Sequence, residues 1–441
     1  MKIAFYFVIL FFISNCSFDN KTGIWKSETS ISKKDNNVFK EFKKISTETD
    51  VFNEIIEFEN NKIIQISKPV ENFTWSDIYF NDENNLKNFK YTDLNRLIFK
   101  SRKLSKGKVN NYLVYDNNNV ITTDERGNII VFSIKENKII SKFNFYKKRY
   151  KKFKKKLNIK LKNNIIYTSD NIGYLYAFDY QNDKILWAVN YKIPFKSNLK
   201  ILDNIIISSD INNNVIFFSK QNGEILKLFP TENTTITNQF INNISKDKNN
   251  LIFLNSYGSL YSFDGLNMNL DWFINLSPSL NLNQLNLFYG SKIITAGGKI
   301  VVSSNDYTYL IDAKSGTILN KFNFSSSIKP IIINDLAFFV TKNNLLIAIN
   351  INNSKILYSQ NINSEVAKYL NSKEKILDFK NMMFLNNDIF LFLKNSFILQ
   401  FKVNGKLSKI KKLPSKINSN PIIIDSSILY LDFKNKLNII D

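Results

Sequence analysis

Cys16 is the only thiol in this 441-residue chain, and histidine is absent altogether. A lone thiol makes no disulfide within the chain. Without imidazole there is no Ser-His-Asp triad, and with one Cys there is no zinc site of His or Cys ligands. The 38 Asp and Glu residues form no Asp/Glu/Asn cluster that recurs at metal-ligand spacing. Tyr (20) and Phe (38) are plentiful, but they fall at strand spacing and read as core packing, not as a cofactor sandwich. No catalytic residue, cofactor or metal is therefore expected. Three features remain that could do something chemical: the placement of Cys16, an excess of cations, and a recurring set of Gly, Asp and Trp.

The cations number 60 against 38 acids, a net charge of +22. Such a balance suits nucleic acid, an anionic lipid surface or an acidic partner. Here Lys, Asn, Ile and Phe are enriched together, as an AT-rich coding sequence would give, and the charge is spread over loops. One run stands out, from Lys147 to Lys156, with Arg149, Tyr150 and Phe153 among its lysines. It reads as a solvated connector between two strands, with anionic lipid or an acidic surface as the alternative. Nucleic acid is not an expected partner.

Cys16 ends an N-terminal address. Lys2 supplies a minimal basic start, and Ile3 to Ile13 form an apolar run too short to span a bilayer comfortably. The stretch Ile13-Ser14-Asn15-Cys16 resembles a bacterial lipobox, in which the Cys becomes the acylated first residue of the mature protein. Asn15 stands where such sequences usually carry Gly, Ala or Ser. Residues 1–15 are then a signal peptide, and Cys16 is the lipidation site. Acyl chains hold a protein on a membrane at roughly 0.8 kcal/mol per buried CH₂. Ser17 is not the Asp that signals inner-membrane retention, so the expected location is the periplasmic face of the outer membrane. Residues 16–70 are polar and read as a tether.

From about residue 95, short runs of Ile, Leu, Phe, Tyr and Val alternate with Asn, Asp, Lys and Ser turns, the pattern of an all-β fold. The runs repeat. Gly173 to Trp187 reads GYLYAFDYQNDKILW, and Gly258 to Trp272 reads GSLYSFDGLNMNLDW. Turn pivots fall at Gly127, Gly173, Asn213, Gly258, Asp306, Asn344, Ser396 and Asn435, which span 308 residues in seven steps, a mean of 44. That is the length of a four-stranded propeller blade. Gly, Asn and Asp suit a hairpin pivot because they tolerate positive φ. Six residues after the pivots stand Ser133, Asp179, Ser219, Asp264, Asp312, Asn350, Lys402 and Asp441. The short polar ones can bond the backbone of the next turn. Pro330 and Pro421 each open an Ile-Ile-Ile run 14 residues before a pivot, and mark the first strand of a blade. The eighth copy stops at Asp441 and lacks its last strand. Arg96 to Lys100 can replace it and close the ring. The expected fold is an eight-bladed β-propeller over residues 71–441.

These repeats resemble the quinoprotein-like (PQQ-type) propeller repeat, a Gly-x-hydrophobic-x-Ala-x-Asp stretch followed by Gly-x-x-x-Trp. Gly173, Leu175, Ala177, Asp179 and Trp187 match it most fully. With the lipobox, and with the Trp-led segment Thr74-Trp75-Ser76-Asp77 before the first blade, the chain is similar to the BamB-like lipoproteins of outer-membrane β-barrel assembly. The resemblance implies a scaffold, not an enzyme. It implies binding to the periplasmic repeat domains of the barrel-inserting subunit, as a monomer within a hetero-complex. The connector from Ser277 to Leu285 is the expected contact, through Leu280, Leu282 and Leu285, with an ordinary blade strand as its alternative. The rival functions are a lipid-anchored propeller binding glycan or peptide and, less favoured, a quinoprotein dehydrogenase, which would need an acidic calcium-ligand set and usually vicinal cysteines.

Overall fold

In a computed structural model, residues 16–18, 25–27, 51–59, 64–232, 242–277 and 290–441 are described. The chain divides into two compact units, 1–49 and 50–441. In the first, Cys16–Phe18 and Trp25–Ser27 form an antiparallel pair with Cys16 opposite Ser27.

The second unit is a ring of eight four-stranded antiparallel blades. Blade 1 spans residues 114–143, blade 2 157–190, blade 3 200–229, blade 4 243–275, blade 5 294–322, blade 6 331–361 and blade 7 379–412. Blade 8 draws three strands from 422–440 and its outer strand, Leu97–Lys103, from the start of the ring. Phe99 lies opposite Ile439, and Arg96 closes the seam with a 2.7 Å ion pair to Asp441. The segment expected at Arg96–Lys100 does complete the last blade, so both free edges of the open ring disappear. Within each blade the first strand lies at the axis and the last at the rim. Ile331–Ile333 and Ile422–Ile424, the runs opened by the two prolines, are wholly buried inner strands. The outer strand Lys184–Asn190 alternates exposed and half-buried.

The repeat works through local backbone chemistry. Seven pivots, Gly127, Gly173, Asn213, Gly258, Asn344, Ser396 and Asn435, have φ between 59° and 105°. Asp306 is the exception. In blade 5 the Ser304 amide donates to the Tyr307 carbonyl at 2.7 Å, and Asp306 stays out of the left-handed region. Six of the eight polar residues after the pivots cap the next turn: Asp179 Oδ1 accepts from the Gln181 and Asn182 amides, and Ser133, Ser219, Asp264, Asp312 and Asn350 act alike. Lys402 and Asp441 do not, and instead pair with Asp388 and Arg96. A second cap escaped the sequence reading. The residue three before the pivot accepts from amides two and four residues on, as at Asp124, Asp210, Asn255 and Asp432. The recurrence of Asp or Asn there was its visible signal.

Four to five residues after every pivot the register with the outer strand shifts, as between Ala177 and Phe178 or Ile439 and Ile440. A bulge adds local twist, and its recurrence in all eight blades keeps them alike. Neighbouring blades lock through the motif aromatics. Trp187 donates its indole N–H to Lys220 O at 3.1 Å and covers Gly223 of the next blade, and Trp272 does the same with Ala313 O (3.2 Å) and Gly316. Tyr358 covers Gly405 without such a bond. A Cβ at any of these glycines would stand 2.5–2.7 Å from the ring.

Two additions break the repetition. A helix, Ile362–Leu370, follows blade 6, capped by Asn361, whose side chain accepts from Asn363 and Ser364 amides, and ended by Asn371 at φ 48°. Residues 51–59 and 64–70, read from the sequence as part of the tether, pack on this ring. Ile56 exchanges backbone bonds of 2.9 and 3.0 Å with Ser359 on the rim of blade 6, and Phe58, Ile64 and Ile66 rest against the core.

Candidate functional site

The stretch from Asn72 to Thr92 carries almost no regular structure and makes a full circuit of the channel at the ring's axis. It touches every inner strand in turn. Asn72 donates to Ile423 O of blade 8, and Trp75 exchanges backbone bonds of 2.9 Å with Tyr115 of blade 1. Ser76 O accepts from Leu161 of blade 2, Asp77 meets Lys200 of blade 3, and Asp82 O accepts from Lys246 of blade 4. Glu83 O accepts from Thr295 of blade 5, and Asn85 bonds Ile332 of blade 6 in both directions at 2.8 and 3.0 Å. Asn88–Phe89 adds a parallel strand to blade 7, and Thr92 returns to Ser426 of blade 8. The belt thus ties all eight blades at one mouth. It lies at the C-terminal ends of the inner strands, where Asn, Gly and Asp turns leave carbonyls that amide side chains can bond.

A buried ion cluster sits in the belt. Asp77 and Lys200 are each 1% exposed and 2.8 Å apart; Lys160 lies 3.1 Å from Asp77 and 2.8 Å from Asp82. Lys200 also donates to Asn81 O and Asn84 Oδ1. Burial alone would raise the Asp77 carboxyl, but the two ammoniums hold it below its usual range. Burial lowers Lys200 despite Asp77, whereas at Lys160 the two carboxylates overcome burial and raise it. Buried charges survive only when paired and hydrogen-bonded in this way.

Beyond the belt, toward the N-terminal ends of the inner strands, the channel holds a cavity of about 370 Å³. Trp75, Ile78, Tyr79 and Leu86 of the belt line it together with Lys292, Lys329, Lys380 and Lys394 of blades 5 to 7, and no acidic side chain does. Burial pushes Lys292 down to about 8 and Lys329 down to about 7, the latter with Lys200 adding to the effect and Asp77 opposing it. Lys380 is lowered by burial and by Lys394. Lys292 sits 5.8 Å over the Tyr79 ring, and Lys329 donates to Asn84 O at 2.7 Å. The buried indole N–H of Trp75 has no acceptor.

A second basic site lies on the surface. The run 147–156 joins the outer strand of blade 1 to the inner strand of blade 2 through a short 3-10 turn, Lys148–Tyr150. Most of it is exposed, as a solvated connector requires, but Lys155 is buried, donates to Tyr150 O and lies 5.3 Å over the Tyr146 ring. With Arg126 and Lys142 the run lines an open groove of about 570 Å³.

Of the residues singled out in the sequence, Cys16 lies on the strand Cys16–Phe18 of the first unit. Leu280, Leu282 and Leu285 lie outside the described residues. Trp75 and Asp77, noted only as an opening motif, prove to be the keystones of the belt. The channel lysines were missed altogether, because single lysines at the starts of unrelated strands carry no local signal. Among the described residues no group of three His, Cys, Asp or Glu could hold a metal ion. The lysine-walled cavity therefore does not fit the acidic metal-ligand set of a quinoprotein dehydrogenase.

Among solved structures, BamB from Moraxella catarrhalis matches with a TM-score of 0.61 and 11% identity, over 78% of this chain and 99% of that one. A quinohemoprotein alcohol dehydrogenase from Pseudomonas putida HK5 also matches at 0.61, with 9% identity over 86% of this chain and 83% of its own. So does a europium-containing methanol dehydrogenase, at 0.61 and 9% identity over 83% and 89%. At such identities the likeness is one of fold. No curated protein matches the sequence. The family model for outer membrane protein assembly factor BamB matches residues 125–360, more than half of the chain, and the protein belongs to that family of PQQ-type repeat propellers.

Proposed function

We propose that this protein is a periplasmic scaffold of outer-membrane β-barrel assembly that works by protein–protein contact and carries out no chemistry of its own. Membership of the assembly-factor family is the observation that carries the reading. The domain plan follows: a signal peptide over 1–15, acylation of Cys16, a tether that ends where the chain reaches the blades, and the propeller as the docking body. The partner is the barrel-inserting subunit with its periplasmic repeat domains, and the location is the periplasmic face of the outer membrane. A rigid disc offers rim strands whose outer edges can accept an added strand. The pairing of Ile56 with Ser359 is an intramolecular example of that mode. The connector with Leu280, Leu282 and Leu285 is the proposed contact of a partner.

Native complexes extracted in mild detergent test this. The wild-type chain is expected in the membrane fraction together with a β-barrel protein bearing periplasmic repeats. Cys16→Ser is expected to move the chain to the soluble fraction, and Leu282→Glu with Leu285→Glu to lose the partner while the far-UV spectrum and melting temperature are kept. Recovery of glycan and no barrel protein would overturn the reading.

A further inference from the structure

We infer that the axial cavity is a binding site for a small organic anion, with its carboxylate or phosphate oxygens on Lys292, Lys329 and Lys380 and its apolar body against the belt residues Ile78 and Tyr79. The inference goes beyond the scaffolding role and stands without it, because it rests on the channel alone.

The first argument is charge. Four lysines line a cavity of about 370 Å³ to which no carboxylate contributes. Lys394 has Asp378 at 3.7 Å, a pair exposed on both sides. Lys292 and Lys380 pair with no carboxylate among the described residues, and Lys329 finds only a backbone carbonyl. The two segments outside the description that lie between blades 3 and 5, residues 233–241 and 278–289, contain no Asp or Glu and cannot supply the missing charge. Collecting uncompensated cations in a partly dry cavity costs stability. A propeller has no structural need for them, since the axis elsewhere is satisfied by amides and the Asp77 cluster.

The second argument is shape. Buried belt side chains, Trp75, Ile78, Tyr79 and Leu86, line the cavity on one side, and its volume falls in the range of small-ligand sites. Its floor is aromatic and aliphatic while its walls are cationic. That pairing recognises a molecule with an apolar body and charged oxygens.

Titration supplies the signature. Lys292 faces Tyr79 and, behind it, Tyr112; both phenols are raised by burial and stay neutral. Lys329 faces Asp77 and Lys200, and Lys380 faces Lys394. With Lys292 near 8 and Lys329 near 7, the free cavity sheds protons as pH rises above neutrality. An anion favours the charged forms, so binding takes up protons and weakens from pH 7 to pH 9.

The test is titration calorimetry of the full chain with citrate and, separately, with inorganic phosphate, at pH 7 and pH 9 and in two buffers of different ionisation heat. Saturable one-to-one binding is expected, with proton uptake and affinity at least about tenfold weaker at pH 9. Lys292→Ala with Lys380→Ala is expected to weaken it about tenfold or more, with melting temperature unchanged or raised. Lys148→Ala with Lys151→Ala, in the surface groove, is expected to leave it unchanged. Citrate alone binding identifies a carboxylate ligand, and phosphate alone a phosphate one. Binding of neither, or binding lost in the groove variant and kept in the channel variant, overturns the inference.

Discussion

In blade 2 the Oδ1 of Asp170 is satisfied by backbone amides two, three and four residues along the chain, at 2.8–2.9 Å. In the belt, Asp77 takes its ammonium partners from 83 and 123 residues away. Both carboxylates are buried, but the first has its three amide partners as soon as its own turn forms, and the Tyr146 hydroxyl, which donates to Oδ2, only adds to them. The second depends on two blades, the second and the third, being assembled around it. The blades are therefore built from self-sufficient local units, whereas the belt is held by the ring and in turn holds the ring. One consequence is that a blade motif can degenerate, as the turn at Asp306 or the missing Trp of most copies shows, without loss of the fold. The belt has no second copy to fall back on.

The sharpest way to break this contrast is Asp77→Ala. It leaves Lys200 and Lys160 buried beside no carboxylate but Asp82, and is expected to cost about 3–5 kcal/mol, read as a lower urea midpoint at unchanged slope. The sign of its pH dependence follows from the lowered carboxyl of Asp77. The ionised form is favoured in the fold, so its contribution is complete above the unfolded value and is lost as pH falls through the folded one, below 3.8. The variant is expected to show a flatter acid limb than the wild type in urea melts across that range.

Between blades the expected effect is smaller. Gly316→Ala adds a methyl 2.7 Å from the Trp272 ring at φ +73°, and is expected to cost about 2–3 kcal/mol from backbone strain and crowding together. Gly297 has similar backbone strain (φ +56°) with nothing within 4 Å, so Gly297→Ala is expected to cost about 1 kcal/mol. The difference between the two variants measures the Trp-on-glycine lock itself. A local cap comes last. Asp179→Ala removes acceptors for two exposed amides, and is expected to cost about 1 kcal/mol or less, since water can replace it. A cost at Asp179 equal to that at Asp77 would show that the distinction between local and assembled carboxylates is false.

Legibility followed the same division. The pivots, the turn caps six residues on and the proline-opened inner strands could be read because each depends on neighbours within one hairpin, and because eight copies repeat the pattern. Closure by Leu97–Lys103 was legible for a related reason: a truncated eighth copy implies a missing strand, and the apolar run at Arg96–Lys100 stands just ahead of the first copy. Trp187 and Trp272 were visible as motif residues, but their partners, Gly223 and Gly316, belong to the next blade and were not. The packing of Phe52 and Phe58 on the ring was hidden by the polar residues around them.

By itself the order of residues determined the propeller, its blade number and its seam, since period, turn chemistry and apolar runs are properties of adjacent residues. Only the closed ring decided that Asn72 to Thr92 is a belt and that Lys292, Lys329 and Lys380 share one cavity. Those lysines stand 37 and 51 residues apart along the chain. Their charges meet because eight similar sheets, each turned a fixed step from the last, bring the starts of all their inner strands to one axis.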